Sequence, residues 1–252
     1  MKLTKSNLAI ALAAALALNG CGSGEDEEST AINIPEDTTP PSISIEQAKL
    51  LNEPADALLE SSVRLSLSKA AKEEVTLSYE VTALTATAGV DFEISAGDIT
   101  IPIGSLSSTI SFNVLPDSFD EEDETFLISI SDPKNATLKT GFTESIVTIR
   151  DTDPTPSAGF TTDVASVTED TGLFSVELKV DTASGKEIQL PFMLSGLATE
   201  SQDYNVLTES PVIVASGQTS GLIEFEILKD SVPEGGESIV IELLEPSNAV
   251  LS

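Results

Sequence analysis

The chain has no histidine, no tryptophan and a single cysteine, Cys21, among 252 residues. Without histidine, Ser–His–Asp and Cys–His nucleophilic machinery is excluded, as are zinc sites that use imidazole. One cysteine excludes an internal disulfide. Cations are scarce: 12 Lys and Arg stand against 42 Asp and Glu, a formal charge of −30. A surface of that sign repels nucleic acid and anionic lipid and attracts cations. No glycine-rich phosphate loop stands between a strand and a helix. Sustained helical periodicity is also missing. Gln47–Leu51 is apolar enough to suggest a helix, but Pro54 and the repeat described below favour a bent first strand.

What is there begins with Lys2 and Lys5, followed by an apolar run from Leu8 to Leu18. That run is too short to span a bilayer and has the pattern of a secretory signal, so residues 1–20 are expected to be a leader. The run ends Leu18-Asn19-Gly20-Cys21, which resembles a bacterial lipobox. The resemblance implies lipidation of Cys21. With Gly22 rather than Asp next, it implies anchorage in the outer membrane of a Gram-negative cell envelope. A cleaved signal beside an incidental cysteine is the alternative. Residues 21–40 are rich in Gly, Ser, Thr, Pro and acids and poor in apolar side chains, the composition of a flexible acidic tether.

The remainder alternates apolar and polar residues, the signature of half-buried strands. Val63, Leu65 and Leu67 form one such run; Val75, Leu77, Tyr79 and Val81 the next; then Ile99 and Ile101. Ile110, Phe112 and Val114 follow, then Phe126, Ile128 and Ile130, then Val147 and Ile149. The pattern recurs 113 residues later: Asp117, Glu121 and Glu124 return as Asp230, Glu234 and Glu237, and Pro133, Asn135 and Ala136 as Pro246, Asn248 and Ala249. Short strands with turns between them, twice over, predict an all-β chain of two tandem sandwiches, 41–153 and 154–252. Repeat 2 ends its matching segment at Leu251, so its seventh strand is expected to be missing. That leaves a sheet edge that is a pairing liability, from a truncated product or a strand supplied by another chain.

The repeated clusters are also the candidate chemistry. Six of the eight residues from Asp117 to Glu124 are acidic. Carboxylates so crowded repel, and a hard cation taking six to eight oxygens relieves them. Asp120, Glu122 and Asp123 read as solvent-facing filler, Phe92 and Tyr204 as core plugs, and the repeated Pro-x-Asn-Ala as a turn.

Several segments in order resemble the Calx-β family. Ala86-Thr87-Ala88-Gly89-Val90-Asp91-Phe92 is similar to its TAxxGxDY/F segment, and Ala198–Tyr204 keeps the acid and the aromatic. Asp117–Phe126 resembles the DxxxExxExF turn, and Ile149-Arg150-Asp151-Thr152-Asp153 the closing I-x-D-x-D. Glu53 and Glu169 stand where the family has an acid ending its first strand. The resemblance covers residues 41–252 and implies seven-stranded Ig-like sandwiches with Ca²⁺ at one tip. The ligands it implies are Glu53, Asp91, Asp117, Glu121, Glu124, Asp151 and Asp153 in repeat 1. In repeat 2 they are Glu169, Asp203, Asp230, Glu234 and Glu237. The chain departs from the family at Pro116 and Lys229, where a further acid is common, and repeat 2 lacks the closing pair.

The expectation is a non-enzymatic, lipid-anchored surface protein acting in adhesion or cell communication. Ca²⁺ would stiffen the joint where Asp151 and Asp153 run into repeat 2. Its partners would be envelope lipid through Cys21 and a surface protein or glycan, with no nucleic acid. The alternatives are a metal-independent spacer, or the N-terminal part of a larger adhesin or surface enzyme.

Overall fold

A computed structural model describes residues 37–231 and 235–252. The leader, Cys21, nearly all of the tether and Glu234 lie outside the described residues. Residues 39–252 form one contact unit that contains two separate hydrophobic cores, one per repeat.

Repeat 1 runs through β1 (Ser42–Ile45), β2 (Ala48–Asn52), β3 (Leu59–Leu67), β4 (Val75–Ala83), β5 (Phe92–Glu93) and β6 (Gly97–Ile101). It continues with β7 (Ser107–Val114), β8 (Glu124–Lys134), β9 (Thr137–Leu138) and β10 (Glu144–Arg150). One sheet has the order β5-β7-β3-β1-β9 and the facing sheet β2-β10-β8-β4-β6. The first strand is bent, not helical: β1 pairs with β3 in one sheet, and after Glu46-Gln47 the chain crosses so that β2 pairs parallel with β10 in the other. With β1 and β2 counted as one strand and the two-residue β5 and β9 set aside, this is the expected seven-stranded sandwich.

The alternating residues face inward as their period requires. Val63, Leu65, Ile110, Phe112, Phe126, Ile128 and Val147 are all buried. Phe92 and Phe126 stack at 4.0 Å between centroids, with Phe112 edge-on to Phe126. This aromatic knot roots β5 and the start of β8, the two places from which Asp91 and Glu124 project.

Repeat 2 comprises β11 (Ser157–Phe160), β12 (Leu173–Val180), β13 (Ile188–Leu190), β14 (Phe192–Gly196) and β15 (Tyr204–Val206). Then come β16 (Val212–Val214), β17 (Ser220–Ile227), β18 (Ile239–Leu243) and β19 (Val250–Leu251). Its first sheet, β15-β17-β12-β11-β19, copies that of repeat 1. The counterpart of β4 is divided at Pro191 into β13, paired with β16, and β14, paired with β18. Proline has no N–H for the ladder, and at the matching place β4 already carries a register shift near Ser78. The Pro-x-Asn-Ala turn is present in both copies. Asn135 (φ 60°) and Asn248 (φ 58°) take the left-handed conformation that asparagine tolerates. Each donates its side-chain N–H to a carbonyl, Glu74 at 2.8 Å and Glu187 at 2.9 Å.

Among the described residues no strand of repeat 2 takes the place that β10 has in repeat 1. The consequence is visible in the core. Phe126 and Ile128, beside β10, are fully buried, while their copies Ile239 and Ile241 are only half-buried. One expectation fails here. Glu169 does not end a strand: residues 161–168 form none and are exposed, and Glu169 opens a 3-10 turn, Glu169–Thr171. In repeat 1 the matching β2 exists by pairing with β10, and residues 161–168 have no such neighbour.

Candidate metal centre

Loops from four parts of repeat 1 converge at one tip. Glu53 follows β2, Asp91 precedes β5, Asp117–Glu124 joins β7 to β8, and Asp151 and Asp153 follow β10. Backbone bonds fix each of them. Glu53 donates its N–H to the Arg150 carbonyl at 2.8 Å, which locks the end of β2 to the end of β10. Its Oε1 accepts the Asp117 N–H at 2.8 Å. The Asp91 carboxylate closes its own turn by accepting the Thr87 N–H at 2.6 Å, and Gly89 in that turn takes φ 82°. Asp117 Oδ1 accepts the Phe119 N–H at 2.8 Å, and Asp151 Oδ1 the Asp153 N–H at 3.2 Å. Each tie leaves a carboxylate oxygen available.

The result is two adjoining triads. Carboxylate oxygens of Glu53, Asp117 and Asp153 lie within 4.8 Å of one another, as do those of Asp91, Glu121 and Glu124. A void of about 10 Å³, lined by Glu53, Asp91, Glu121, Glu122, Glu124 and Asp151, sits among them. That is about the room a single water or small cation needs.

The nearby cations go elsewhere: Arg150 approaches Asp123 at 4.0 Å, and Lys186 binds Asp120. Burial and uncompensated carboxylates therefore raise proton affinities. Glu53 is pushed up to about 7, first by loss of solvent and then by Asp117, Asp153 and Asp151, against the lowering effect of the Asp117 N–H bond. Glu124 is pushed up to about 8, by burial and by the hydrogen bond and charge of Asp91. Glu121 and Asp153 are raised by the same causes, burial first. A divalent cation would supply the missing positive charge. Many carboxylates in a pliable arrangement suit Ca²⁺ better than the stricter octahedron of Mg²⁺.

Asp120 departs from the sequence reading. It is not filler but only 5% exposed, and it faces repeat 2. Its Oδ1 accepts from Lys186 Nζ at 2.9 Å, and its carbonyl accepts from Ser184 Oγ at 2.8 Å and from the Gly185 N–H at 3.2 Å. Gly185 lies against the Glu121 side chain, which would have to move to admit a Cβ there. The turn that carries the candidate ligands is thus itself the docking surface for repeat 2. Asp120 aligns with Pro233 in the second copy and so escapes a search for repeated acids.

Repeat 2 reproduces the parts but not the assembly. Asp203 accepts the Thr199 N–H at 2.6 Å, as Asp91 does from Thr87. Glu169, Asp203, Asp230 and Glu237 nevertheless form no group of three within the 4.8 Å span among the described residues. Lys229, where an acid is common, pairs with Asp170. The gathering in repeat 1 depends on the β2 and β10 ends, and the described residues of repeat 2 contain neither.

The sequence profile of the Calx-beta domain matches residues 36–153 and again 151–251. The sodium/calcium exchanger Calx of Drosophila melanogaster is 30% identical over 171 residues, 67% of this chain and 18% of the exchanger. The adhesion G-protein coupled receptor V1 of Danio rerio is 26% identical over 183 residues, 69% of this chain and 3% of the receptor. This chain therefore spans less than a fifth of either relative. Among solved structures, the calcium binding domain CBD12 of CALX1.1 is 24% identical, with 83% of this chain and 81% of that one covered and a TM-score of 0.42.

Proposed function

The chain belongs to the Calx-beta domain family, and on that premise we propose that it is a non-enzymatic tandem module whose repeat 1 binds Ca²⁺ and thereby stiffens the joint to repeat 2. The observation that carries this reading is the double triad. Six carboxylates from four loops form the triads, and Glu53, Asp91, Glu121 and Glu124 line a cation-sized void together with Asp151, with Asp120 of the same turn holding repeat 2 through Lys186. Glu53, Asp91, Asp117, Glu121, Glu124, Asp151 and Asp153 would hold the ion. Bound there, it offsets the repulsion that otherwise splays the turn, and the turn then presents Asp120 and Glu121 to Ser184–Lys186 in one geometry.

The lipobox-like Leu18–Cys21 supports anchorage in a bacterial envelope, with the tandem module held away from the membrane by the acidic tether. A role in adhesion or cell communication, with a surface protein or glycan as partner, fits that placement. The second reading is a metal-independent spacer, favoured by the failure of the repeat 2 acids to assemble.

A thermal melt in chelator, then with Ca²⁺, then with Mg²⁺, separates the two. At about 100-fold excess over the dissociation constant, ligand linkage adds about 2.7 kcal/mol to the repeat that binds. A rise with Ca²⁺ well above that with Mg²⁺ supports the calcium module. A folded chain that melts identically in all three is a spacer.

A further inference from the structure

The end of repeat 1 opposite the acid tip is built by two loops, 68–74 between β3 and β4 and 102–106 between β6 and β7. They are tied to each other. The Gly104 N–H donates to the Ala71 carbonyl at 2.8 Å, and the Ala71 N–H to the Ser105 carbonyl at 3.2 Å. Gly104 (φ 78°) makes the turn in the second loop, and that loop leaves Ile103 68% and Leu106 55% exposed. The chain enters the sandwich at this same end. Lys69 Nζ donates to Thr39 Oγ1 at 2.8 Å, and the Ser42 N–H to Ser68 Oγ at 2.9 Å.

Repeat 2 is an internal control for what these loops require. Its copy has the same turn: Gly217 takes φ 76°, and its N–H donates to the Ser184 carbonyl at 2.8 Å, as Gly104 does to Ala71. In that copy Ile103 and Leu106 are replaced by Ser216 and Thr219, and the loop that holds Ser184 and Lys186 rests on Asp120. The turn therefore folds without aliphatic side chains, and in repeat 1 they are additions to the surface. Charge differs too. Lys69, Lys72, Lys134 and Lys139 lie at this end with Glu73, Glu74, Asp132 and Glu144, a balance of signs in a chain of 42 acids and 12 cations. A phosphate-bearing surface is not repelled here as it is by the acid tip.

We propose that this end of repeat 1 is a lipid-contacting surface, with Ile103 and Leu106 entering the boundary between headgroups and acyl chains and the lysines lying among the phosphates. The inference rests on the envelope anchorage proposed above and narrows it: the acidic parts of the module stand off the membrane, while the end where the chain enters touches it. Two aliphatic side chains make a weak contact alone. A bilayer joined to the chain upstream of Thr39 is present at high effective concentration, so a weak contact suffices. Its effect is orientation. The candidate metal centre lies at the far end of repeat 1 and is directed away from the bilayer.

The test uses two absences in the sequence. Cys21 is the only thiol, so the chain from Cys21 to Ser252, which keeps every described residue, can be coupled through it to a maleimide lipid in phosphatidylcholine–phosphatidylglycerol vesicles. There is no tryptophan, so Ile103→Trp introduces a single reporter, with Leu106→Trp as a second and Met193→Trp, 49% exposed in repeat 2, as the control. Brominated acyl chains quench indole fluorescence only on contact. In chelator, residues 103 and 106 are expected to lose about half or more of their emission and to shift to the blue, as a side chain at the headgroup–acyl boundary does, while residue 193 is unaffected. Leu106→Thr in the Ile103→Trp chain should reduce the quenching. Emission from residues 103 and 106 that is unquenched, or quenched no more than that from residue 193, overturns the proposal. Because Cys21 is coupled chemically, this outcome is separate from lipidation in the cell, which the mass of the mature chain reads.

Discussion

Lys186 Nζ of repeat 2 lies 2.9 Å from Asp120 Oδ1 of repeat 1, and the carboxylate it binds is 5% exposed. The pair sits on the turn that also carries Asp117, Glu121 and Glu124, so the joint and the candidate metal centre share one stretch of backbone. Removing the cation leaves a buried charge without its partner, which costs about 2 kcal/mol or more. Lys186→Met is expected to lower the urea midpoint by that order, and Asp120→Leu in the same chain to recover part of the loss. A Lys186→Met chain as stable as the parent would show that the pair contributes nothing to the joint.

The acid turn and the joint also touch through Gly185, where an added methyl group would overlap Glu121. Gly185→Ala, a change in repeat 2, is therefore expected to weaken calcium binding in repeat 1 by about tenfold, about 1.4 kcal/mol. Calorimetric titration reads the effect directly. An unaltered affinity would mean that Glu121 swings aside without leaving the ion.

How much of this was legible beforehand differs by level. The strands were readable because Val63, Phe126 and their neighbours alternate strictly and because a second copy repeats them. The bent first strand followed from Pro54 and the repeat. The role of Asp120 was hidden, since the contact with Lys186 is made between repeats and leaves no periodic trace: Asp120 aligns with a proline and Lys186 with Glu73. The failure of Glu169 was hidden for a different reason. In repeat 1, β2 is held by its pairing with β10, and such a contact between distant segments cannot be read from local sequence.

Stability in chelator should fall as pH rises. Glu53 and Glu124 have proton affinities raised in the folded chain to about 7 and about 8, from an ordinary value of 4.5. A group whose folded value is raised favours the folded state below its unfolded value, and that contribution is lost as pH climbs through the folded value. The decline should therefore run from about pH 4.5 to pH 8. Saturating Ca²⁺ should flatten or reverse it, because a bound cation keeps the carboxylates charged. Denaturant midpoints across that window, with and without the ion, check both halves.

Conservative removal of charge separates binding from packing. Glu124→Gln with Asp151→Asn keeps the size of each side chain while removing two ligand charges from the same cluster. Relief of repulsion should make this variant at least as stable as the parent in chelator, while its calcium-dependent rise in melting temperature disappears. A variant that keeps the full rise would place the ion elsewhere.

The two cores should respond differently to the same deletion. Phe126 is fully buried between Phe92 and Phe112, and Phe126→Ala should cost about 3–5 kcal/mol, the range for a large core side chain whose cavity cannot collapse. Its copy Ile239 is half-buried on the open groove. Water already reaches that face, so Ile239→Ala should cost well under the roughly 2–5 kcal/mol usual for Ile→Ala in a closed core. Chemical denaturation of both variants makes the comparison. Equal losses would mean that the groove is already sealed in solution.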